Sequence, residues 1–170
     1  AEFVIDAQQG QDVHVRQAVA GGTGAFVNTT TGVIRKIGAG TGTFDDAHTA
    51  DTHMVPLTNN SQILVEVGFF GYESGTNQGT LTVSPGATLG LGAMTLADGS
   101  VVQGEGRIEF PTLYQEIGRT TLAGNVTLAG TNMWLGAIVN GSGANLGMYV
   151  AGTATITGTI YRPNGQTPAA

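Results

Sequence analysis

Residues 120–138 read TTLAGNVTLAGTNMWLGAI. Counted two at a time, Leu122, Val126, Leu128, Trp134 and Ile138 share one parity with Gly124, Gly130 and Gly136, while Thr121, Asn125, Thr127 and Thr131 share the other. A side-chain period of two belongs to a strand, with one face for a core and one for water. The tetrapeptide Thr-Leu-Ala-Gly occurs at 121 and again at 127, so strand, small residue and turn succeed one another at short range. The stretch reads as the buried spine of an all-β protein, and its parity assigns Trp134 to the core.

Working outward, further strands are bounded by turn chemistry. Ser84-Pro85-Gly86-Ala87 carries Pro and Gly where a type II turn wants them, between Thr80–Val83 and Thr88–Leu96. Asp98-Gly99, set between Met94–Ala97 and Ser100–Gln103, has the form of a two-residue hairpin. Upstream, Ala25–Asn28 and Val33–Ile37 flank the turn formers Asn28 to Gly32. Asn59-Asn60-Ser61 breaks a Pro-containing edge strand from a long strand, Gln62–Phe69. Phe69, Phe70 and Tyr72 are expected as core plugs, and Glu73–Gln78, with no apolar residue, as a loop. Arg107–Gly118, interrupted by Phe110-Pro111, reads as an edge or bent strand, and Thr153–Tyr161 alternates threonine with its neighbours. Turns every 8 to 12 residues or so are the spacing of sandwiches and barrels. The expected fold is an antiparallel β-sandwich or jelly-roll-like domain with essentially no helix. Residues 1–20 form an N-terminal strand or arm, 21–165 a single β domain with a subdivision point near 73–79, and 166–170 a trailing tail.

Only 11% of the 170 residues are charged, against 28 glycines and a single lysine, Lys36. A surface of Thr, Asn, Gln, Ser and Gly loses little side-chain entropy and little charge solvation when it is covered, which favours large, permanent contacts. The net charge of −6 and the scattered arginines 16, 35, 107, 119 and 162 argue against a nucleic-acid partner, which needs clustered cations. No apolar run approaches a membrane span, and the start AEFVIDAQQG lacks a signal-peptide pattern. Without cysteine there are no disulfides and no thiolate chemistry.

Three groups of residues invite a chemical reading. Asp45, Asp46, His48, Asp51 and His53 offer oxygen and imidazole donors to a divalent ion, but their spacing matches no established motif, and a solvated acidic loop is the preferred reading. Glu105, Glu109 and Glu116 could act as paired carboxylates only if two faced one groove at a set separation, and strand-face acids are far commoner. Gly38-Ala-Gly40-Thr-Gly42 lacks the Lys-Ser/Thr ending and the following helix of a phosphate loop and is read as a turn. No enzyme activity and no cofactor are expected.

All-β patterning, Gly and Thr richness, near absence of lysine and no catalytic cluster together resemble tailed-bacteriophage virion proteins, most closely the head decoration or cement proteins. The resemblance is carried by residues 21–42, by TLTVSPGATLGLGAMTLADGSVV at 80–102 and by the spine. It implies an oligomer on the outer surface of a phage head, a homotrimer ahead of a dimer, that bridges capsomers of the major capsid protein. Phe3, Ile5, Val13 and Val15 are the candidate capsid-binding residues, on an arm that either closes the chain's own sheet or adds a strand to a neighbour. The phrase TVSPGATLGLGAMTLADGS also looks like stacked turns of a β-solenoid, as in tail fibres and surface adhesins that bind glycans. The Asp98-Gly99 signal favours antiparallel pairing, which ranks the solenoid second.

Overall fold

The computed structural model describes residues 1–15, 24–44, 55–110, 120–135 and 148–161. Among them are sixteen strands and no helix. Every strand pairing is parallel, in three ladders. The first ladder stacks β1 (Glu2–Asp6), β4 (Val33–Ile37), β7 (Gln62–Val65), β9 (Thr80–Val83), the start of β11 (Val101–Phe110), the start of β13 (Asn125–Leu135) and β15 (Thr153–Ile156). The second stacks β2 (Asp12–Val15), β5 (Thr41–Phe44), the starts of β8 (Phe69–Asn77) and β10 (Thr88–Leu96), the ends of β11 and β13, and β16 (Ile160–Tyr161). The third stacks β3 (Phe26–Asn28), β6 (Leu57–Asn59), the ends of β8 and β10, β12 (Thr120–Leu122) and β14 (Met148–Val150).

This arrangement overturns the antiparallel sandwich. The path β1-β4-β7-β9-β11-β10-β8-β5-β2 is a curved, wholly parallel half-barrel, because the chain winds round and lays each strand on its counterpart one circuit earlier. Counterparts lie 18 residues apart at the tightest, Gln62 and Thr80, and 31 at the widest, Glu2 and Val33. The apparent hairpin is a corner of the winding. Residues before Asp98 pair with β12 and those after it with β9 and β13, while Asp98 Oδ1 accepts from the backbone and side-chain nitrogens of Asn125 one circuit on, at 2.9 and 2.8 Å. Those bonds hold the Asp98 carboxyl below its usual range, the backbone N–H of Asn125 contributing most. Ser84–Ala87 is likewise a corner; its expected turn is present, with Ala87 N donating to Ser84 O at 3.0 Å and Gly86 at φ 81°. Residues 74–77, expected as loop, belong to β8, and Gln62–Phe69 is split by a corner at 66–68.

Alternation still sets the core. The inner column of the first ladder runs Ile34, Ile63, Leu81, Val102 and Leu128, in register and fully buried. That of the second runs Phe70, Leu89, Ile108 and Met133, also fully buried. Leu122, Val126 and Leu128 point inward as the spine reading required. At the end nearest β1, Phe3, Phe26, Phe44 and Phe70 form a chain of tilted and edge-on ring contacts, 4.9 to 6.0 Å between neighbouring centroids.

Two polar devices lie within this apolar stack. Asn28, Asn59 and Asn77 occupy one inner column of the third ladder. Asn28 Nδ2 donates to Asn59 Oδ1 at 2.7 Å and Asn59 Nδ2 to Asn77 Oδ1 at 2.6 Å, and the same amides reach the backbone oxygens of Gln62, Ser61 and Gly79. Lys36, fully buried between Ile5 and Val65 in the first ladder, donates its ammonium protons to the carbonyls of Ile37, Gly38 and Val67 at 2.8, 2.7 and 3.2 Å.

Candidate functional site

The spine changes phase at a corner. Between Gly104 and Arg107, β11 spends two residues where β13 spends one, Thr131. Beyond that corner Ile108 and Met133 take the inner positions, so Glu109 and Trp134 take the outer ones. Trp134, expected in the core, is therefore half-buried on the outer face, because a corner residue inverts a parity that a straight strand would keep.

The outer column of the second ladder runs His14, Thr43, Gly71, Gly90, Glu109, Trp134 and Tyr161, with Arg107 and Asn132 paired in the adjacent column. At one end His14 Nδ1 meets Thr43 Oγ1 at 2.6 Å. At the other, five side chains from three successive circuits converge. The Trp134 and Tyr161 rings stack at 5.0 Å between centroids and 24° between planes. On Trp134 also lies the Arg107 guanidinium, 4.5 Å from the indole centroid, a cation–π contact. Trp134 Nε1 donates to Asn132 Oδ1 at 2.6 Å, and Arg107 Nε donates to Glu109 Oε1 in an ion pair.

These contacts tie β11, β13 and β16 together at the cluster. The indole is held by cation, ring and hydrogen bond together. The Glu109 side chain is only 11% exposed, whereas that of Arg107 is 40% exposed, and Tyr161, the last ring of the stack, is 37% exposed. An exposed ring beside donors and acceptors can hold a ligand that has both an apolar face and hydroxyls. Glu109 Oε1 is engaged by Arg107 Nε. Glu105 is exposed at the corner, and Glu116 lies outside the described residues.

Of the candidate capsid-binding residues, Ile5 is buried at 2% exposure and Val13 and Val15 are half-buried against the core, while Phe3 is 37% exposed with its ring against Phe26. β1 and β2 close the chain's own ladders on β4 and β5. Asp45, Asp46, His48, Asp51 and His53 lie outside the described residues, and among the described residues no three metal-ligating side chains come together. Residues 38–40 form a corner between β4 and β5 whose Gly38 carbonyl is taken by Lys36. Arg107, Asn132 and Tyr161 escaped sequence reading; the available signal was the Arg107/Glu109 spacing of two, which puts opposite charges on one strand face. Among the described residues no helix is long and apolar enough to cross a membrane. In comparisons with known proteins, no family model, no curated protein and no solved structure matches the chain.

Proposed function

We propose that this chain is a non-enzymatic binding module of the tail-fibre or surface-adhesin kind, a rigid parallel winding that presents a glycan-binding face. The observation that carries this reading is the Arg107–Trp134–Tyr161 stack, anchored on three circuits and bordered by Asn132 and Glu109. Few charged side chains and many Thr, Asn and Gly residues suit an extracellular or virion surface whose contacts are polar and uncharged. Binding of the intact chain to a glycan array, with no turnover of the bound glycan, is the expected result; an array without any bound glycan would contradict it.

A place on a phage head, bridging the major capsid protein as a homotrimer, is the second reading. It is supported by the same low charge and by the exposed Phe3, Val4 and Val27 at the β1 end. Salt-stable, stoichiometric co-sedimentation with purified heads supports it over the adhesin, and sedimentation of the free chain at 17.3 kDa counts against a preformed trimer.

A further inference from the structure

We infer that the Tyr161 end of the stack is a subsite for a neutral hexopyranose, read by Arg107 and Asn132; this rests on the glycan-binding reading above. A pyranose whose hydroxyls are mostly equatorial shows a face of axial C–H groups, weakly positive, that matches the negative face of an aromatic ring. Trp134 offers less of such a face, because the Arg107 guanidinium and the Tyr161 ring both lie against the indole. Among the described residues Tyr161 has one neighbour in the stack, Trp134, and it is 37% exposed. The exposed side of the ring, turned away from Trp134, is the landing surface, and Trp134 is the positioning residue that keeps the phenol ring flat.

The polar groups decide the class of sugar. Arg107 gives Nε to Glu109, and among the described residues its Nη groups have no protein partner while the side chain is 40% exposed. A fork of two donors beside a ring suits a pair of vicinal hydroxyls or a carboxylate. The neighbouring Glu109 carboxylate already pairs with the guanidinium, which weakens its pull on a sialic or uronic acid and favours neutral hydroxyls. Hydroxyls remain as the partners of Arg107, and the amide of Asn132, whose Oδ1 is taken by the indole N–H, adds donors from the adjacent column.

The test measures affinity of the full chain for immobilised neutral polysaccharides and for sialylated and uronic-acid glycans, alongside Tyr161→Ala, Tyr161→Phe and Arg107→Lys. Far-UV circular dichroism and thermal unfolding serve as the check on folding. The expected result is binding to a neutral glycan, at least tenfold weaker in Tyr161→Ala, unchanged within twofold in Tyr161→Phe, and severalfold weaker in Arg107→Lys, which keeps charge but loses the planar fork. If folded Tyr161→Ala binds as the wild type does, the subsite is wrong and glycan binding stands elsewhere on the chain. Preference for acidic over neutral glycans overturns the assigned class. Absence of any glycan binding by the wild type overturns both the subsite and the function it rests on.

Discussion

Lys36 is the only lysine of the chain, and it stands in a column otherwise filled by Ile5, Val65 and Val83. Its ammonium donates to three carbonyls where the winding turns from the first ladder to the second, adding donors at a corner where backbone acceptors converge. Burial pushes the amine below the ordinary lysine range, partly offset by the Asp6 charge. Between the folded and unfolded values the unfolded chain holds a proton that the folded chain has released, so stability rises with pH across that window. Wild type should therefore gain stability relative to Lys36→Met as pH climbs from 7 toward about 10, read from denaturant midpoints; a parallel pH dependence of the two would refute it. Asn59 is the centre of the amide ladder, and Asn59→Ala leaves one Asn28 amide hydrogen and the Asn77 side-chain oxygen without these partners in the interior. The expected loss is about 3 kcal/mol, and a midpoint shift worth less than about 1 kcal/mol would show that the ladder is not satisfied as described. Neither device was legible in sequence: Asn28 and Asn59 look like turn formers, and only the stacking of circuits turns their side chains inward.

At the scale of the element, the strands were legible and their partners were not. Thr80–Val83, Thr88–Leu96 and Val33–Ile37 stand where alternation put them, because alternation reports which side chains are buried. A parallel and an antiparallel neighbour bury the same face, so alternation is silent on direction. Turn chemistry misled for a related reason: Asp98-Gly99 supplies a residue with positive φ, Gly99 at 82°, and a corner between circuits needs that as much as a hairpin does. The corners also explain Trp134, whose strand bends at Thr131 and exchanges its two faces. Where a corner crosses inside a strand, glycine is required. Gly75 has φ 118°, and a Cβ there would collide with the backbone of Leu57 in the circuit below. Gly75→Ala should cost more than the roughly 1 kcal/mol of an ordinary backbone adjustment, with loss of cooperative thermal unfolding as the extreme outcome. A variant as stable as wild type would place β6 and β8 farther apart than the register of Leu57 with Gly75 allows.

For the whole molecule, each circuit rests on the one before it, and the interior is a set of in-register columns rather than two facing sheets. The ends of those columns are apolar and exposed: Phe3, Val4 and Val27 at one, Val150, Ile156 and Tyr161 at the other. The candidate site belongs to this scale, since Arg107, Trp134 and Tyr161 are 27 residues apart in sequence at each step and adjacent only because successive circuits stack. A reading that pairs neighbours along the chain has no means of finding it. The winding itself is open to a direct test, because the chain has no cysteine to interfere. Thr82 and Gln103 are register partners in β9 and β11, with Gln103 Nε2 3.2 Å from Thr82 Oγ1, whereas a hairpin at Asp98-Gly99 would instead set Gln103 opposite Met94. Adjacent strands lie within disulfide reach. Under mild oxidation, Thr82→Cys/Gln103→Cys should form an intramolecular disulfide and Met94→Cys/Gln103→Cys should not; cross-linking of the second pair and not the first would contradict the parallel winding.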